Sequence, residues 1–212
     1  MTQVADRTQD VVIVIDDDAS ICDALSRLIR SVGLRAQTFQ SVQDFLQAKR
    51  PDAPSCLVVD VRLPGSSGLD LQTELSKAGA SIPIVFMSGH GDVPMTVRAM
   101  KAGAVDFLLK PYREQDMLDA IQNGLAADHR RRAEQAALSD LRSRYAALTL
   151  REKDIMRLVS EGLMNKQIAG VLGISEITVK VHRAKVMKKM AAGSLADLVR
   201  MARELNGGDH SK

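Results

Sequence analysis

The sequence predicts two folded units of different class. The first is a doubly wound α/β domain of the (β/α)5 kind, and the second a small all-α domain of four helices, joined by a mostly helical linker. Three observations predict this. Five short apolar runs alternate with helix-period segments over the first 125 residues, and strands joined by helices need parallel crossovers. From Leu148 onward, capping residues and glycines mark out short helices with no strands between them. The charge also divides: Met1 to Leu125 holds 12 Lys/Arg against 16 Asp/Glu, a net of −4, whereas Ala126 to Lys212 holds 17 against 10, a net of +7.

Composition narrows the function. The 212 residues suffice for one large or two small domains, and 45% apolar with 26% charged residues is usual for a soluble globular chain. The longest aliphatic run is strand-length, too short for a membrane span, and "MTQVADRTQD" lacks a secretory pattern. Cys22 and Cys56 are the only cysteines; without a CxxC they suggest neither a disulfide framework nor a zinc site. A cytoplasmic protein without membrane contact is expected, its basic second half suited to a polyanion.

In the first unit the strand candidates are Val11–Ile15, 34–39, 56–61, 82–87 and 104–109. Ile21, Leu25, Leu28 and Val32 recur at 4, 3, 4, and Gly33 stops that helix. Ser41 with Asp44 has the form of a capping box. Further helices follow in "GLDLQTELSKAG", "VPMTVRAMKAG" and "REQDMLDAIQNGL".

Ligands of such sheets bind beyond the carboxyl ends of the strands. The first strand ends in Asp16, Asp17 and Asp18, the third at Asp60, the fourth at Ser88 and the fifth at Lys110. Alone, the Asp triplet also suits a helix N-terminus. Together, these residues bring carboxylates, an ammonium and a hydroxyl to one rim. Oxygen donors without His or Cys favour Mg²⁺ or Mn²⁺. A carboxylate nucleophile, a divalent ion, an ammonium and a hydroxyl are what phosphoryl transfer to an aspartate requires.

The motifs "VIDDD", "VVDVRLPGSSG", "FMSGHGD" and "DFLLKP" resemble the receiver domain of bacterial two-component response regulators. The resemblance implies a phosphoacceptor at Asp60 and a metal held by Asp17, Asp60 and the carbonyl of Arg62, with Asp16 acting partly through water. It implies that Lys110 holds the phosphoryl group beside a cis bond to Pro111. Ser88 would be the switch hydroxyl and Phe107 the switch aromatic. Asp18 is left as an outer or solvated carboxylate.

The linker carries Leu118, Ile121 and Leu125 on one face, then Leu138, Leu141, Tyr145 and Leu148 at 3, 4, 3, with "DHRRRAEQ" breaking the seam. A long, partly exposed helix is expected; a flexible tether is the alternative. Thr149 with Glu152 forms a capping box, Gly162 ends that helix, and a short helix spans about 165–172. Gly173 turns the chain, Ser175 caps a helix reaching about Met190, and Ser194 with Asp197 opens a fourth. A short helix, a glycine turn and a longer basic helix describe a helix-turn-helix. On the longer helix Val179, His182, Val186 and Met190 should face the core. Lys180, Val181, Ala184, Lys185 and Lys188 should face outward, and with Thr178 they are the candidate DNA contacts.

The segment with "NKQIA", "TVKVHR" and "SLADLVRMA" resembles the LuxR-type DNA-binding domain, and the whole chain resembles a response regulator of the NarL/FixJ group, FixJ- and StyR-like within it. Domain limits of 10–125, 126–147 and 148–208 follow. The resemblance implies a sensor histidine kinase as phosphodonor, homodimerisation on phosphorylation, binding to double-stranded promoter DNA, and RNA polymerase as partner if the protein is an activator. It implies no enzyme beyond self-phosphorylation and autodephosphorylation. One rival reading is a haloacid-dehalogenase-like phosphatase, because "DDDAS" fits its strand-end motif; the later acidic pair of that family has no counterpart here. A receiver relaying a signal without DNA is the other.

Overall fold

Strands Val11–Ile15 (β1) and Ser55–Asp60 (β3) are buried at every residue, as expected of apolar runs covered on both faces. They lie in the middle of a parallel sheet in a computed structural model that describes residues 10–90 and 93–207. The element order continues with α1 (Ala19–Ser31), β2 (Arg35–Phe39) and α2 (Val42–Gln47) before β3. After β3 come a two-stranded hairpin, β4 (Arg62–Leu63) with β5 (Ser66–Ser67), then α3 (Gly68–Lys77), β6 (Ile84–Ser88), α4 (Val93–Lys101) and β7 (Asp106–Leu109). The sheet order is β2-β1-β3-β6-β7, so the chain reverses its direction of travel between β1 and β3.

Alternation along the strands makes two cores. Ile13, Ile15, Leu57, Val59 and Phe86 meet Val42, Phe45, Leu71 and Leu75 on one face. Val12, Val14, Cys56, Val58, Val85 and Met87 meet Leu25, Ile29, Met117, Ile121 and Leu125 on the other. Helix α5 (Glu114–Ala146) supplies the last three of these. At Gly124 it passes so close to β3 that an added Cβ would lie 2.4 Å from the Cys56 sulfur.

The five strands expected from the sequence are present, with ends shifted by at most two residues; the hairpin β4–β5 was not anticipated. Ser41 caps α2 by accepting from the Asp44 N–H, but the Asp44 carboxylate accepts from the Ser41 hydroxyl, not from its backbone N–H. A complete capping box stands instead at Ser67 and Asp70. The expected linker helix exists as the single helix α5.

The chain divides into two compact units, Met1–Arg132 and Ala133–Lys212. In the second, α6 (Leu150–Ser160), α7 (Asn165–Leu172), α8 (Glu176–Met190) and α9 (Leu195–Gly207) enclose Ile155, Val159, Ile168, Val179, Val186, Met190 and Leu198, with Leu141 and Leu148. Thr149 and Glu152 form the expected box, and Gly173 takes the left-handed conformation at φ 63°. Among the described residues, no helix is long and apolar enough to cross a membrane.

Candidate functional site

Strand register brings the candidates of the first unit together. Ile15 pairs with Val59, so Asp16 and Asp60 follow on neighbouring strands. Asp60 pairs with Met87 and Ser88 with Leu109, which sets Ser88 and Lys110 along the same rim. The rim straddles the chain reversal between β1 and β3, where sheets of this order place their ligands.

Lys110 is the centre of the arrangement. Its Nζ donates to Asp16 Oδ2 at 2.8 Å and to Asp60 Oδ2 at 2.5 Å. Each carboxylate keeps its other oxygen on a backbone N–H, Asp16 on Asp18 at 2.9 Å and Asp60 on Arg62 at 2.8 Å. Burial, to 1% exposure, pushes the Asp16 carboxyl above its ordinary value against the pull of Lys110. Burial also opposes the Lys110 charge, yet its hydrogen bonds to Asp16 and Asp60 carry its pKa upward. The Lys110–Pro111 bond is cis, as expected.

The remaining candidates occupy distinct places. Ser88 is fully buried, and its hydroxyl accepts from the His90 N–H at 3.2 Å. Phe107 is half-buried, its ring 6.3 Å from that of Phe86. Asp17 is exposed, and among the described residues no three acidic, His or Cys side chains converge as a metal set. Asp18 has a definite role: it is the N-cap of α1, accepting from the Ser20 N–H and hydroxyl. Those bonds lower its pKa. The helix-capping reading of the triplet therefore holds for one of its three members.

The donor chemistry of the rim still suits a hard cation. Asp16, Asp17 and Asp60 carry three negative charges when ionised, and Lys110 offsets one. An oxygen-only set with a surplus of two charges matches a divalent ion in kind and charge.

The second unit separates its cations by task. Arg151 donates to Leu172 O, Arg183 to Asn165 Oδ1, and Lys189 to Glu152 Oε2, so these hold helices to one another. Lys189 draws the Glu152 carboxyl down to about 2, with the Thr149 N–H assisting. Lys180, Lys185 and Lys188 are exposed and have no ion-pair partner among the described residues. Val181 and Ala184 stand between them, also exposed, while Val179, Val186 and Met190 are fully buried. The outward face of α8 is the one expected. Thr178 is only half-exposed and shares a hydrogen bond with Ser175 at 2.8 Å, beside the cap of the helix. His182 is half-buried, its Nδ1 buried without a hydrogen bond. Ile177, the most exposed large apolar residue of α8, is not among the residues expected from the sequence.

Comparison with known proteins finds a family match in each half of the chain. The response regulator receiver domain matches residues 12–122, and the bacterial regulatory proteins of the luxR family match residues 146–202. Nodulation protein W of Bradyrhizobium diazoefficiens is 54% identical over 93% of this chain and 87% of its own length. Response regulator protein TodT of Pseudomonas putida is 45% identical over 97% and 90%. Among solved structures, response regulator StyR superposes with a TM-score of 0.84 at 48% identity, over 92% of this chain and 99% of that one. Likeness of this extent, in both halves, leads to one conclusion: the chain belongs to the two-component response regulators that join a receiver domain to a LuxR-type DNA-binding domain.

Proposed function

We propose that the protein is phosphorylated on Asp60 by a partner sensor histidine kinase, dimerises, and then binds promoter DNA to regulate transcription. The supporting observation is the tie between Lys110 and the buried pair Asp16 and Asp60. An oxygen of Asp60 attacks the phosphorus of the donor while the donor group leaves. The Lys110 ammonium takes a phosphoryl oxygen, and the Arg62 N–H keeps the carboxylate oriented. Mg²⁺ or Mn²⁺, held by Asp16, Asp17, Asp60 and the Arg62 carbonyl, would neutralise charge on the transferring group. The Ser88 hydroxyl then donates to the phosphoryl group, and Phe107 turns further in. The surface formed by α4 and β7, where Val93, Val97, Met100 and Leu109 are exposed, becomes the dimer face. The chemistry the chain carries out is confined to accepting this phosphoryl group and losing it again.

The receiver takes residues 10–125, the linker 126–147 and the DNA-binding domain 148–208. Lys180, Val181, Ala184, Lys185 and Lys188, with Thr178 at the start of the helix, face double-stranded DNA, and RNA polymerase is the further partner if the protein activates. Treatment with acetyl phosphate and Mg²⁺ should yield one hydroxylamine-labile phosphoryl group per chain, absent from an Asp60→Asn variant. Equal labelling of that variant would reject the assignment.

A further inference from the structure

Helix geometry orders the exposed side of α8 more finely than a list of basic residues does. At about 100° per residue, Ile177, Val181, Ala184 and Lys188 fall within about 60° of one another. Buried Val179, Val186 and Met190 lie diametrically opposite. Lys180 and Lys185 flank the stripe, one on each side. The stripe is therefore apolar for its first two turns and cationic only at its far end. Ile177 is 75% exposed and Val181 49%, although both are branched aliphatic residues at the start of a helix.

We infer that Ile177 is a specificity-determining residue, and that Ile177 and Val181 together select thymine methyl groups in the DNA target. The inference rests on α8 being the DNA-reading helix. The occupant follows from charge and polarity. Lysines on both flanks suit phosphate and base acceptors, whereas an aliphatic pair finds a partner in the major groove only in the C5-methyl of thymine. A helix entering that groove presents its first turns to base edges. Ile177 and Val181 are one turn, about 6 Å, apart along the axis. With base pairs stacked every 3.4 Å or so, the two side chains reach different thymines, one or two base pairs apart.

The test uses the full chain treated with acetyl phosphate, and a duplex enriched from a random-sequence library. Each thymine in that duplex is replaced in turn by deoxyuridine, which removes one methyl and no hydrogen-bonding group. Two positions should each weaken wild-type binding about fourfold, the effect of losing one buried methyl. Ile177→Ala should be insensitive to deoxyuridine at one of them and Val181→Ala at the other, while Ile177→Val keeps the wild-type pattern. The exposed Ile177 side chain carries no core packing, so Ile177→Ala should keep its affinity for random duplex and its salt slope. If deoxyuridine weakens wild type and Ile177→Ala equally at every position, the inference is overturned although α8 still reads DNA. If the library yields no enriched duplex, or Lys188→Ala binds as well as wild type, the underlying reading of α8 fails and takes the inference with it.

Discussion

Lys110 holds two carboxylates that would otherwise repel across neighbouring strand ends. Replacing it by methionine leaves Asp16 and Asp60 facing each other, and should cost about 3 kcal/mol at neutral pH. The pH dependence has a definite sign. Burial already raises the folded-state pKa of Asp16 above 3.8, and loss of the ammonium raises it further. Protonation of Asp16 therefore favours the folded state, and the penalty of Lys110→Met should shrink as pH falls toward 3.8. Carboxyl titration by NMR, with denaturant unfolding at several pH values, checks both. Ser88→Ala should still be labelled by acetyl phosphate but should dimerise at least tenfold more weakly than wild type in sedimentation. Asp16, Asp60, Ser88 and Lys110 were recognisable because strand ends announce themselves where an apolar run meets a polar residue. Asp18 was not, since its cap is a matter of local backbone geometry, and Asp16 to Asp18 look alike in one dimension. Ile177 was not legible because nothing in one dimension distinguishes an aliphatic residue beside the helix cap that the fold leaves uncovered from one that it buries.

Helices and strands are held at a few close contacts. A Cβ at Gly124 would overlap the Cys56 sulfur between α5 and β3, so Gly124→Ala should destabilise the first unit by about 1–3 kcal/mol. Pairing it with Cys56→Ala, which removes the sulfur the new methyl would meet, should cost less than the sum of the two single changes, a coupling that a double-mutant cycle reads directly. On α8 the two lysines should fail differently. Lys180→Ala should cost roughly 1–3 kcal/mol on the specific site and little on random DNA. Lys188→Ala should weaken both alike and lower the salt slope by about one. The central strands were plain in the sequence because β1 is apolar throughout and β3 is apolar between Ser55 and Asp60. The hairpin β4–β5 was invisible, since two-residue strands are shorter than any period that could reveal them. The box at Ser67 and Asp70 shares its residues with "SSGLD", which reads equally well as a loop.

One buried carboxyl in each unit responds to acid, and the two do so in opposite senses. Glu152 has its pKa drawn from 4.5 to about 2, chiefly by Lys189. It supports the second unit above pH 4.5 or so and loses that effect as pH falls through about 2. Asp16, with a raised pKa, shifts the first unit the other way. Calorimetry between about pH 5 and about pH 2 should show the second unit losing stability with acid. A Lys189→Met variant should lose most of that slope without altering the first unit. The opposite charges of the two halves were apparent from composition, but these two groups were not, because neither carboxyl is unusual until its surroundings are known.

One contact network also sets an order of events during synthesis. Asp128, 1% exposed, accepts from the Ser55 N–H at the start of β3 and from Arg131 and Arg132. His129 meets Asp10 at 3.0 Å, and Arg132 meets Asp52 at 3.2 Å. Every strand of the sheet has been made by Leu109, and the helix side of its core is complete at Leu125. The amide of Ser55 and the carboxylates of Asp10 and Asp52 nevertheless wait for residues 128–132. A nascent chain therefore carries a finished core with an unfinished amino-end until those residues leave the ribosome. A chain ending at Leu125 should be cut by protease markedly faster than one ending at Arg132, and Asp128→Ala in the longer chain should recover about 1–3 kcal/mol of that weakness. The last turns of the first unit are thus translated on the way into the second, so a pause that leaves Leu125 outside the ribosome and residues 128–132 still within it leaves the receiver folded but unfastened.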